Sequence, residues 1–113
     1  MTTYAIILAA GSGKRMGADR PKQFLELAGK PLLFHTITAF EQCDRVDGIV
    51  IVASPDAVEH VEILAKGHEK VASVVPGGAE RQDSVREGLK AVPDEADIVA
   101  VHDGARPLVQ VRE

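Results

Sequence analysis

A doubly wound α/β fold built on a mostly parallel sheet is predicted by three features of this sequence. Four apolar runs of strand length, over 4–9, 48–53, 71–75 and 98–101, alternate with segments of helical periodicity. The first two are continuously apolar, as in strands covered on both faces. The loops that follow the first, third and fourth runs are rich in glycine, proline and charge.

Taken in order, the run over 4–9 is the first central strand, and it empties into Ala10, Gly11, Ser12, Gly13, Lys14, Arg15, Met16 and Gly17. Pro31 then stands at the first turn of a helix whose apolar side is Leu32, Leu33, Thr36, Ile37 and Phe40. The run over 48–53 is a second buried strand. Ser54 and Pro55 follow it as cap and first-turn proline, and Val58, Val61, Ile63 and Leu64 form the apolar side of a helix ending near Gly67. A weaker strand over 71–75 stops at Pro76-Gly77-Gly78. A helix over 83–91 carries Val85 and Leu89, with Val92 next in the spacing, and Pro93 closes it. The strand over 98–101 delivers His102, Asp103, Gly104, Ala105, Arg106 and Pro107.

Parallel strands joined by right-handed crossovers share one C-terminal edge, where ligands of such folds bind. The loops over 11–22, 76–84 and 102–107 therefore converge on one expected site.

Composition bounds the function. The chain has 113 residues, 45% hydrophobic and 27% charged, enough for one modest core and without the bias of a disordered segment. Its formal charge of -4 offers nothing to nucleic acid or a membrane surface, so the cations of the first loop stand out locally. Cys43 is the lone cysteine; it excludes an internal disulfide, suits a reducing compartment and is expected to serve packing. The N-terminal run is too short to span a bilayer and lacks a basic segment before it, so the expected location is cytoplasmic. His35, His60, His68 and His102 lack partners at zinc-ligand spacing.

The first loop, G-x-G-x-x-x-G, is one residue longer than the dinucleotide fingerprint and lacks a Walker A ending. It is either a phosphate cradle, with Arg15 and Lys22 neutralising charge at a phosphorus under attack, or a flexible turn with solvated cations. Asp103, just past a buried strand, either holds Mg²⁺ against phosphate oxygens or caps the following turn. Arg106 contacts phosphate or, the favoured role, pairs with an acidic neighbour. Gly77 and Gly78 allow close approach of a flat ligand, and the Ser84 hydroxyl either reads a base edge or serves a helix N-terminus.

Four ordered blocks resemble one known family. They are residues 9–17, residues 21–25 (Pro21, Lys22, Gln23, Phe24, Leu25), Gly77 and Gly78 with residues 81–85, and residues 101–107. The chain resembles the 2-C-methyl-D-erythritol 4-phosphate cytidylyltransferases, which join CTP to methylerythritol phosphate and release pyrophosphate in non-mevalonate isoprenoid synthesis. The resemblance implies a Rossmann-like nucleotidyltransferase sheet. It also implies that Arg15 and Lys22 stabilise the five-coordinate α-phosphorus, and that amides from Gly11 through Ser12 to Gly13 hold the triphosphate. Ala9, Ala10, Gly78 and Ser84 are then expected around cytosine and ribose, Gly104 near the ribose, Asp103 on Mg²⁺, and Arg81 within the aligned block.

Family members run to roughly twice this length. Residues 1–113 are accordingly expected to form the N-terminal, nucleotide-binding part of one domain, its sheet incomplete, within a protein that forms a homodimer. The strand over 98–101 is then expected at an unpaired edge, and the chain alone to be poorly soluble or inactive. Rival readings are a ribitol 5-phosphate cytidylyltransferase, a sugar-1-phosphate nucleotidyltransferase, which explains the first loop but not residues 81–84, and a non-catalytic nucleotide-binding module.

Overall fold

The structure is a computed structural model that describes residues 1–9, 26, 27 and 30–103. Four parallel strands form its sheet: β1 (Thr3–Ala9), β4 (Gly48–Ala53), β5 (Val71–Pro76) and β6 (Ile98–Asp103). A two-residue antiparallel pair, β2 (Glu26–Leu27) with β3 (Lys30–Pro31), precedes the first helix. Three helices connect the strands: α1 (Leu32–Glu41), α2 (Val58–Ala65) and α3 (Arg81–Ala91).

The spatial order is β5-β4-β1-β6. The chain steps outward from β1 to β4 to β5, then returns across the sheet to β6 on the far side of β1. Reversing direction while keeping a right-handed crossover moves the connecting helix to the opposite face. The two cores follow this rule. Leu33, Ile37 and Phe40 of α1 and Val61 and Ala65 of α2 pack with Ala5, Ile7, Ala9, Ile49 and Ile51 on one face. Val85 and Ala91 of α3 pack with Ile6, Leu8, Val50 and Val52 on the other. Covered on both faces, β1 is buried from Ala5 to Ala9 and β4 throughout, which explains their uninterrupted apolar sequence.

Hydrogen bonds at the N-terminal end of the sheet secure the register. The Thr2 N–H donates to Asp97 Oδ2 and the Thr3 N–H to Asp47 Oδ2, both at 2.8 Å. The N–H groups of Asp97 and Asp47 return the contact to the Thr2 and Thr3 carbonyls, also at 2.8 Å. The loops entering β4 and β6 thus pin β1 from both sides.

Several boundaries differ from expectation. Pro31 ends β3, and α1 begins one residue later. The third helix starts at Arg81, two residues before the expected 83, because Glu80 and Asp83 form a capping box in which the Glu80 N–H donates to Asp83 Oδ2 at 3.2 Å. Ser54 precedes the 3-10 turn Pro55–Ala57 without a side-chain cap bond. Gly67 follows α2 with φ at 87°, a conformation that suits glycine. Ile63 and Leu89, expected on apolar helix faces, are 61% and 48% exposed. The turn of each helix is set by larger contacts, through Val61 and Ala65 in α2 and through Val85 and Ala91 in α3.

The fourth strand lies at the sheet edge, as expected, with β1 its one partner among the described strands. Ile98 and Val101 are 46% and 39% exposed. A free apolar edge favours self-association. At micromolar concentration the 113-residue polypeptide is expected to sediment as multimers, and Ile98→Lys with Val101→Lys to restore the monomer. Monomeric behaviour of the unsubstituted chain in the ultracentrifuge contradicts this.

Candidate active site

The site is built from strand ends. Ala9, the last residue of β1, pairs with Ala53, the last of β4, and Ala53 pairs with Pro76, the last of β5. On the other side Leu8 pairs with Asp103, the last of β6. The Gly77 N–H then donates to the Ala53 carbonyl at 2.7 Å, which carries the Gly77-Gly78 turn alongside the end of β4. The three glycine-bearing segments singled out in the sequence thus depart from one edge. The reversal of strand order falls between β1 and β6, the position where open α/β sheets leave a crevice for ligands.

Of the sequence-predicted residues, Ala9 is buried at the end of β1, within the α1 side of the core. Asp103 is a strand residue, since β6 runs two residues beyond the expected 101. Arg15 and Lys22, with Ala10, Gly11, Ser12, Gly13 and Gly104, lie outside the described residues.

Gly78 is exposed and has a local duty: a Cβ there would collide with the Asp83 side chain that folds back to the Glu80 N–H. Arg81 is the exposed first residue of α3. The N-terminus of α3 therefore already has a carboxylate in its first turn, so its positive end is partly answered from within the chain.

Ser84 lies one turn further along α3 and is buried, with 2% of its surface exposed. Its Oγ has no hydrogen-bond partner among the described residues. A hydroxyl in that state destabilises the fold unless a ligand answers it. Ser84→Ala is therefore expected to hold or raise unfolding stability by about 1 kcal/mol and, under the function proposed below, to weaken nucleotide binding by several-fold, roughly the worth of one hydrogen bond. Chemical denaturation and nucleotide titration check both halves, and loss of stability without loss of affinity contradicts them.

One partly buried polar residue at this edge was given no site role in the sequence reading. His102 enters the α1 layer, where its ring meets Phe40 with centroids 5.3 Å apart at an interplanar angle of 67°. The signal was present as a histidine ending an apolar strand, but nothing in one dimension distinguishes it from a loop residue. The open cleft lined by Glu62, Lys66, His68 and Ser73 is separate, beside the end of α2 and the start of β5.

Comparison with known proteins agrees with this geometry. The family model for 2-C-methyl-D-erythritol 4-phosphate cytidylyltransferase (IspD) matches residues 3–113. The enzyme of that name from Alkaliphilus oremlandii is 47% identical over 110 residues, which are 95% of this chain and 47% of the relative. That from Desulforamulus reducens is 48% identical over 112 residues, 96% of this chain and 48% of the relative. Among solved structures, 4-diphosphocytidyl-2C-methyl-D-erythritol synthase from Anaerococcus prevotii superposes with a TM-score of 0.81 at 30% identity, covering 96% of this chain and 45% of that one. This chain thus spans about half the length of the relatives it matches. The α/β sheet is the Rossmann-like sheet of these structural neighbours. With its sequence blocks, strand order, family model and relatives all in agreement, the chain belongs to the 2-C-methyl-D-erythritol 4-phosphate cytidylyltransferase family.

Proposed function

We propose that this chain is the nucleotide-binding part of a cytidylyltransferase that transfers CMP from CTP to 2-C-methyl-D-erythritol 4-phosphate. In this reaction an oxygen of the acceptor phosphate attacks the α-phosphorus of CTP, the bond to the β-phosphate breaks, and pyrophosphate leaves with that bonding pair. The observation that carries the reading is the meeting of the β1 and β6 ends at the strand-order reversal, where the sequence continues into two of the family blocks.

The chemistry asks for charge stabilisation and little else, because phosphoryl transfer gains chiefly from positioning and electrostatics. Arg15 and Lys22 supply two cations for the five-coordinate phosphorus, and the amides of residues 11–13 hold the triphosphate. Ala9, Ala10, Gly78 and Ser84 enclose cytidine, with Gly104 at the ribose. A pyrimidine-sized pocket rejects purines by shape and by leaving its own polar groups unanswered.

Asp103 is the residue that would hold Mg²⁺. A single carboxylate at a strand end suits an ion that takes one or two protein oxygens and the rest from phosphates and water. When bound, the ion neutralises phosphate charge. Among the described residues no helix is long and apolar enough to cross a membrane. We assign the full-length protein to the cytoplasm and to a homodimer on the family resemblance.

The test is pyrophosphate release by the full-length protein from CTP with methylerythritol phosphate and, separately, ribitol 5-phosphate. Release with the first acceptor alone supports the reading. Preference for ribitol 5-phosphate supports the ribitol 5-phosphate cytidylyltransferase reading, and CTP binding without release under either condition supports a non-catalytic module.

A further inference from the structure

The turn between β5 and α3 is pinned at both ends. At its start the Gly77 N–H donates to the Ala53 carbonyl at the end of β4, at 2.7 Å. At its finish the Glu80 N–H donates to Asp83 Oδ2 at 3.2 Å, while the Glu80 side chain accepts the Asp83 N–H. Between these ties Gly78 lies against Asp83, so closely that a Cβ on the glycine would collide with the Cβ of the aspartate.

This approach is more than a helix start requires, since a box of Ser or Thr with Glu satisfies the same backbone groups. Aspartate is one methylene shorter than glutamate, so it reaches the Glu80 N–H only where the turn is drawn in, which leaves no room for a side chain at 78. The constraint then passes onward. The Glu80 carbonyl accepts the Ser84 N–H at 3.1 Å, and Ser84 is the buried residue whose Oγ has no partner among the described residues. Asp83 thus touches the glycine turn directly and holds the peptide to which Ser84 is bonded. Its other oxygen, Oδ1, meets Arg86 Nη1 at 3.4 Å in an exposed pair, which is worth little in water.

We propose that Asp83 is a positioning residue for the nucleobase, whose carboxylate fixes the spacing between the Gly77-Gly78 turn and the buried Ser84 hydroxyl. The inference rests on the CTP-binding reading above, which puts Gly78 and Ser84 around cytosine. Alanine at 83 keeps the helix but releases Glu80, so the turn and the hydroxyl no longer move as one. Asparagine retains an acceptor oxygen where Oδ2 stands.

The experiment compares the full-length protein with its Asp83→Ala, Asp83→Asn and Arg86→Ala variants, and with Asp83→Ala made on Ser84→Ala. Each is read by CTP and UTP titration, thermal unfolding and amide hydrogen exchange. Asp83→Ala is expected to unfold a few degrees lower, as for a lost cap, and to exchange faster at the Glu80 amide. It should bind CTP about five- to tenfold more weakly and UTP within about twofold of the parent, because the displaced hydroxyl reads the base. Asp83→Asn is expected to restore CTP affinity, and Arg86→Ala to leave it unchanged. On the Ser84→Ala background the cost of Asp83→Ala should shrink to about twofold, since both changes act on one hydroxyl.

Unchanged CTP affinity in Asp83→Ala overturns the proposal. Equal losses for CTP and UTP, or a loss that adds in full to that of Ser84→Ala, mark a merely structural cap and overturn it as well. A loss in Arg86→Ala as large as that in Asp83→Ala would move the effect to the exposed ion pair. If the parent itself fails to bind CTP, the functional reading above falls, and unchanged exchange at the Glu80 amide in Asp83→Ala would separately show that the carboxylate does not hold the turn.

Discussion

Replacing Arg15 by Ala is expected to lower pyrophosphate release by about 10²–10³-fold while leaving CTP affinity within a few-fold of the parent. The argument concerns when the charge is needed. Under the proposed function, CTP brings negative charge spread over three phosphates, and the backbone amides of residues 11–13 and a divalent ion are the groups proposed to meet it in the ground state. Attack on the α-phosphorus adds charge to oxygens around that atom and to the departing pyrophosphate. A cation fixed beside them gains interaction as the barrier is climbed. Lys22→Ala should behave in the same way, and the double variant should fall less than the product of the single losses because both groups act on one charge. The measurement is kcat with single-turnover controls beside the CTP Kd. Equal losses in affinity and turnover would mean that these cations only bind nucleotide.

Gly88→Val is expected to cost about 3 kcal/mol of unfolding stability, the upper part of the usual range for overpacking a closed core. Gly88 lies on the buried side of α3, and a Cβ there would come 2.8 Å from Ile6 Cγ2 and 3.0 Å from Val52 Cγ2. Both neighbours are fully buried in β1 and β4, so neither can swing toward solvent. Relief requires α3 to lift from the sheet. Gly88→Ala should cost less, because the gain of about 1 kcal/mol in helix propensity offsets part of the clash. Ser84 is one turn away on the same buried side, so a lifted helix also displaces its hydroxyl. Urea denaturation and CTP titration should therefore report losses together in Gly88→Val, in contrast to Ser84→Ala, where they diverge. Parent-like stability of the valine variant would contradict the close packing of α3 on the sheet.

Much of the architecture is legible in residue spacing. Leu33, Thr36, Ile37 and Phe40 were placed on one side of a helix by their intervals of three and four, and all are buried. The unbroken apolar runs of β1 and β4 identified the two strands covered on both faces. Spacing failed where an element meets the core over a narrower area than its apolar content suggests. In α2 the buried pair is Val61 and Ala65, which leaves Ile63 outside. The start of α3 was missed because Glu80 is an uncommon cap, and its partnership with Asp83 depends on the glycine turn before it. His102 was missed for a different reason. Its ring contact is with Phe40, which is remote in sequence and adjacent only after β6 has docked beside β1.

The sequence by itself determined which segments become strands and helices, at which end of each strand the polar loops fall, and which family's loops they resemble. These are local properties, set by periodicity, apolar continuity and the turn preferences of glycine and proline. The order β5-β4-β1-β6 was decided by the tertiary structure, which pairs Thr3 with Ile98 and Leu8 with Asp103 across nearly the whole chain. No single residue encodes such a pairing. It follows from the handedness of the crossovers and from burying β1 on both faces and both edges, and it sets the ends of β1 and β6 side by side.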